Sequence, residues 1–197
     1  LPFSLTLRQT VFIIAVLNYA YFGVELFYAF NIGSVSLMAD SVDFFEDASV
    51  SLLVFFALVW PVAWRQRIGT ILAINTALPA LGTVWSVWHQ VTTQIPPAPL
   101  TMSLVGIGAL VVNSFCALLM FKERNFQGGL ARAVYLCSRN DVIINILIII
   151  TAAVTAHYPS VWPDILVGTV IALLHLGAAS DIYKQSRKRN PAAHHHH

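Results

Sequence analysis

Six stretches of this 197-residue chain, at 8–30, 36–60, 68–91, 101–121, 130–155 and 162–183, are apolar and long enough to cross a hydrocarbon core, which takes about 20 residues of helix. In lipid every backbone N–H and C=O must be satisfied within the structure, so unbroken apolar runs of this length are helices rather than loops or open strands. The composition agrees. Hydrophobic residues make up 57% of the chain and charged ones 10%, against about 25% charged in a soluble domain. The breaks are short and recognisable: Asn31-Ile32-Gly33-Ser34, Trp60-Pro61 to Arg67, Pro96-Pro97-Ala98-Pro99, Gln127-Gly128-Gly129, and His157 to Pro163. None can hold a soluble domain. The expected fold is an all-α membrane protein, a single domain of six transmembrane helices over 1–190 with a tail at 191–197.

Charge orients the spans. The loops at 31–35, 92–100 and 156–163 carry no Lys or Arg, whereas Arg8, the Arg65/Arg67 loop, the Lys122/Arg124 loop and the Lys184/Arg187/Lys188/Arg189 tail hold most of the basic residues. By the positive-inside rule this alternation places both termini in the cytoplasm. Arg132 and Arg139 fall at or just inside the cytoplasmic end of the fifth span, where long side chains can snorkel. The basic tail reads as a headgroup-facing end rather than a nucleic-acid site. Leu1 to Thr10 lack the short apolar core and small-residue cleavage site of a signal peptide, so the first span is expected to be retained. His194 to His197 read as the remnant of a purification tag, which leaves His89, His157 and His175; Cys116 and Cys137 lie far apart within apolar stretches and argue against a disulfide framework.

Within the second span Asp43 and Asp47 stand four residues apart, one turn of helix. A carboxylate at membrane depth costs roughly 2.5 to 3.5 kcal/mol on insertion scales, so two on one side point to a cation or proton pathway. With Asp43 at zero and about 100° per residue, Asp47 falls near 40°, Asp40 near 60° and Glu46 near −60°, so the four acids share one broad face. On the fifth span Cys137, Asp141 and Asn145 repeat at intervals of four and form a second polar stripe. Asp47 and Asp141 are each the twelfth residue of oppositely directed spans, which puts both on the order of 17 Å from their ends, near the midplane. A tetrahedral site for a borderline metal such as zinc takes four N, O or S ligands, and Asp43, Asp47, Cys137 and Asp141 would supply three carboxylates and a thiolate. Carboxylates crowded out of water take protons when no cation is present, so protons and metal would compete there.

Each neighbouring residue has a plainer reading beside the functional one. Asp40 can brace its helix rather than bind metal. Glu46 can face another helix or a water-filled opening. Cys137 can be a small buried hydrophobe. Arg139 reads as an ion-pair or headgroup partner. Asn18 and Glu25, seven apart on the first span, either line the pathway or pair with another helix, and Asn145 extends the fifth-span stripe. His175 on the sixth span reads more as a hydrogen bond between helices than as a ligand. Trp60, Trp64, Trp85, Trp88, Tyr158 and Trp162 cluster at span ends as interfacial anchors.

The run Ser34-Val35-Ser36-Leu37-Met38-Ala39-Asp40-Ser41-Val42-Asp43-Phe44-Phe45-Glu46-Asp47 resembles the second-span signature of the cation diffusion facilitators, and Ala133 to Asp141 resembles their fifth-span signature. The resemblance implies a homodimeric, proton-coupled exporter of divalent metal in a cytoplasmic, inner membrane of a bacterium, with a ligand quartet from the second and fifth spans. The metal would be cargo, with no resident cofactor and no nucleic-acid partner. Three departures stand out. Cys137 occupies a position where His or Asp is common, which turns the expectation toward zinc, with cadmium next, rather than manganese. The Lys122 to Arg132 loop has no histidine-rich insertion, and the Arg65-Gln66-Arg67 loop offers no accessory ligand. After Tyr183 only a short basic tail follows, where most such proteins continue into a cytoplasmic metal-binding domain; either this branch lacks that domain or the sequence is a piece cut from a longer chain, and no such domain is expected within these 197 residues. Two other classes compete: a metal-binding or assembly subunit that does not transport, and a metal-dependent membrane enzyme. The second is disfavoured, since the Asp-Gly-x-x-Ala-Arg pattern of headgroup transferases is missing.

Overall fold

The computed structural model describes residues 6–57, 81–121 and 130–188, with the side chains of 130–134, 137 and 176–188 excepted. The Arg65/Arg67 loop, Trp60, Trp64 and the first half of the third span lie outside the described residues, as do the Lys122/Arg124 loop and the end of the tail. Among the described residues there are six helices and no strand: α1 (Leu7–Ile32), α2 (Val35–Ala57), α3 (81–93), α4 (Pro99–Phe121), α5 (Leu130–His157) and α6 (Trp162–Lys188). Short turns join α1 to α2, α3 to α4 and α5 to α6, which makes these neighbours antiparallel. The tightest pairs are α1 with α2 and α4 with α5, and α2 also packs on α5 and α6. So α2, the helix with the acids, is central to the bundle.

Local chemistry sets the helix ends. Thr6 and Gln9 form a capping box at the start of α1: the Thr6 side chain accepts from the Gln9 N–H at 3.3 Å, and the Gln9 side chain accepts from the Thr6 N–H at 3.0 Å. α1 stops at Gly33, whose φ of 67° and ψ of 27° are left-handed, the conformation that glycine adopts without a Cβ penalty. The reversal leads straight into α2. There Asp164, fully buried in the first turn of α6, accepts from the Val35 N–H at 2.7 Å, the Ser36 N–H at 3.1 Å, the Ser34 hydroxyl at 2.9 Å and the Ser36 hydroxyl. It also accepts from the Gln90 amide of α3 at 2.9 Å, and that amide bonds the Gly33 carbonyl at 3.0 Å. A carboxylate at the positive end of α2 thus ties three helices together. Gly168 permits the close approach of α6, because a Cβ there would lie 2.6 Å from the Val35 backbone.

Two larger apolar clusters fill the bundle, and a smaller one of Val35, Val161 and Ile165 lies at the α2–α6 junction. Of the larger two, one joins Ala29, Leu37, Met38, Met102, Ile148, Ile171 and their neighbours, and the other joins Val11, Ile14, Val54, Cys116 and Met120. On α1, α2 and α4 the fully or nearly buried acids and amides fall between the two in sequence: Asn18 and Glu25, Asp40 and Asp43, and Asn113. Outward positions such as Phe12, Phe27, Leu104, Leu118, Ile143 and Leu166 are large, apolar and exposed, as lipid rather than water requires. Leu7–Ile32, Pro99–Phe121 and Ser138–His157 each contain a stretch long and apolar enough to cross a membrane, and Trp162–His175 is a shorter apolar helix. α2 differs from these only in its four acids. The protein is an integral membrane protein of the all-helical class expected from its sequence.

Candidate metal centre

The polar layer is built from one face each of five helices. Asp43 is buried on α2, with 7% of its surface exposed, and Asp141 is buried on α5, with 4% exposed. Their carboxyl groups lie against each other, and Asp47, which is partly exposed one turn below Asp43, also touches Asp141. Three of the four residues proposed from the motifs are therefore brought together. The side chain of the fourth, Cys137, lies outside the described residues. One oxygen of Asp141, Oδ2, is buried without a hydrogen-bond partner. Buried polar atoms are rarely left so, and an unpartnered carboxylate oxygen facing two other carboxylates is a place for a cation or a proton.

The four acids of α2 do not all meet at this point, because the arc of about 120° between Asp40 and Glu46 spans more than one neighbouring helix. Asp40 turns toward α1 and α5. It accepts from the Asn145 amide at 2.7 Å, and Asn145 in turn accepts from the Asn113 amide of α4 at 2.9 Å, all three side chains being buried. Glu25 of α1 lies beside Asp40, and both its oxygens are buried with no hydrogen-bond donor. Asn18, also buried, has no partner for either amide atom. Glu46 turns the other way, toward α6. There His175 Nε2 stands 3.1 Å from Asp43 Oδ1, and ligand atoms of Asp43, Glu46 and His175 all fall within 4.8 Å of one another. Arg139 is exposed, and among the described residues no Lys or Arg forms an ion pair with these acids.

Asn113 was not singled out from the sequence, although an amide in the middle of an otherwise apolar helix is a visible signal. Nor were Asp164 and Gln90, whose positions at helix ends resemble ordinary caps. Tyr21 is a further addition: its hydroxyl donates to the Val105 carbonyl and fixes α1 against α4.

In chemical terms the layer offers hard oxygen ligands and an imidazole to a cation, from helices that cross the membrane. It offers no nucleophile–base pair among these contacts. No curated protein matches the chain. The family model for the cation efflux transmembrane domain matches residues 11–189, a span that includes every residue of this layer. The chain belongs to the cation efflux family, a family of membrane cation transporters.

Proposed function

We propose that the protein exports a divalent transition-metal cation, zinc first and cadmium next, in exchange for protons. The exchange runs by alternating access at a midplane site between α2 and α5, with Asp43, Asp47, Asp141 and Cys137 as ligands and with two copies of the chain forming the working unit in a bacterial inner membrane. The observation that carries this reading is the meeting of the Asp43, Asp47 and Asp141 carboxyls with no Lys or Arg paired to them among the described residues. The bilayer interior does not tolerate three unneutralised carboxylates. Protons or a divalent cation must neutralise them, and each excludes the other, which is the minimal chemistry of exchange. A thiolate from Cys137 would add a soft donor and favour zinc or cadmium over manganese.

Purified protein in proteoliposomes tests this directly. An imposed pH gradient should drive zinc uptake, Asp47→Ala or Asp141→Ala should abolish it in well-folded protein, and Cys137→Ser should shift the zinc-to-manganese ratio. Absence of flux from pure, folded protein would favour the non-transporting subunit, and retained flux in either aspartate variant would refute the site.

A further inference from the structure

We propose that His175 of α6 is a ligand of the transported cation, and that Asp43, Glu46 and His175 form a second coordination set sharing Asp43 with the α2–α5 set. This rests on the reading of the Asp43–Asp47–Asp141 layer as the transport site. The ligand atoms of the three residues lie within 4.8 Å of one another. Tetrahedral donors about 2.1 Å from a zinc-like ion stand roughly 3.4 Å apart, so each side chain need move by no more than roughly 1 Å to close on one ion.

A bracing hydrogen bond from His175 to Asp43 accounts for only part of this arrangement. It requires one carboxylate, yet Glu46 brings a second, like-charged one to the same point. It also leaves His175 Nδ1 buried with no partner. Asp43 also lies against Asp141 of α5, a buried side chain whose Oδ2 has no hydrogen-bond partner, so the same carboxylate borders both sets. Glu46 and His175 keep partial exposure, whereas Asp141 is buried. Because Asp43 belongs to both sets, a cation passes between the α6 and α5 sets by exchanging ligands around it. An imidazole nitrogen suits zinc, cobalt and nickel, while magnesium and calcium prefer all-oxygen sites, so this set favours a borderline transition metal.

The test uses the chain in lipid nanodiscs with His194–His197 removed, so that the tag binds no metal. Zinc and manganese affinities and the visible spectrum of bound cobalt are measured for wild type, His175→Gln and Glu46→Gln. The expected result is a loss of at least tenfold in zinc affinity relative to manganese in His175→Gln, a changed cobalt spectrum, and weaker zinc binding in Glu46→Gln. Should His175→Gln fail to fold, Glu46→Gln decides alone. Wild-type metal preference and cobalt spectrum in the folded variants would overturn the proposal and leave His175 as a brace. Flux in Asp47→Ala and Asp141→Ala is followed in parallel. Abolished flux there with wild-type binding in the α6 variants overturns only this inference, whereas persistent flux overturns the transport site itself.

Discussion

Asp164→Ala is expected to be the most destabilising single substitution at the helix junctions, although the residue lies far from the acids. Its carboxylate accepts from two backbone N–H groups, two serine hydroxyls and the Gln90 amide, and it is fully buried. Interhelical hydrogen bonds inside a bilayer average about 0.6 kcal/mol, so five such bonds come to about 3 kcal/mol. Loss of the negative charge at the start of α2 adds about 1 kcal/mol. The Ser34 and Ser36 hydroxyls, 3.3 Å apart, can bond each other and recover part of this. The net expectation is a loss of about 3 kcal/mol, a large share of a typical total of about 5 to 15 kcal/mol. Asp164→Asn keeps the shape and one acceptor but turns an N–H toward the donors of α2, and should cost about 1 to 2 kcal/mol.

Reversible unfolding in mixed detergent–SDS micelles, followed by tryptophan fluorescence, measures both variants. An alanine variant within about 0.5 kcal/mol of wild type would refute the reasoning, since that is near the value of a single interhelical bond. So would an asparagine variant as unstable as the alanine one. Asp164 precedes His175 by about 16 Å along α6. Cation affinity of the folded fraction should therefore be unchanged, which separates this role from one at the metal centre.

Asn145→Leu removes the bond to Asp40 and orphans the Asn113 amide; the same unfolding assay should show a loss of about 1 to 2 kcal/mol, and adding Asn113→Leu should cost less than it does in wild type. Gly168→Val drives a side chain into the Val35 backbone, where even a Cβ would sit at 2.6 Å; a loss of about 1 to 3 kcal/mol is expected, with Gly168→Ala milder. Zinc affinity should fall as pH falls, because only deprotonated carboxylates bind the ion, by roughly tenfold per pH unit for each proton displaced. Calorimetry in buffers of different ionisation enthalpy counts those protons, and an affinity unchanged between pH 8 and pH 6 with none released would contradict the exchange chemistry.

The six helices were legible because lipid imposes one local rule on every span: a run of about 20 apolar residues has no alternative to helix. The breaks were legible for the same reason. Gly33, for instance, is both a sequence punctuation and the left-handed residue that ends α1. What a single helix could not reveal is which neighbour each part of its polar face meets. Spacing by four places Asp43 above Asp47 on α2, and Asp141 below Asn145 on α5, but the rotation of one helix against another depends on packing along their whole length. Hence the sequence could group Asp40, Asp43, Glu46 and Asp47, whereas packing divides them: Asp40 belongs with Asn145 and Glu25, and Glu46 with His175.

That division gives the layer a physical logic which a single ligand quartet lacks. An ion held equally by all the acids would be trapped, since carriage requires a site strong enough to strip water and weak enough to release its cargo. Asp43 touches both the α5 acid and the α6 imidazole, so in the proposed exchange an ion would change partners on either side of it without losing that carboxylate. Asp40 instead accepts from Asn145, and in the proposed exchange this would keep a further carboxylate from deepening the well. The amide pair Asn113–Asn145 would then set how tightly the centre binds without touching the ion, through the one acid that it withholds.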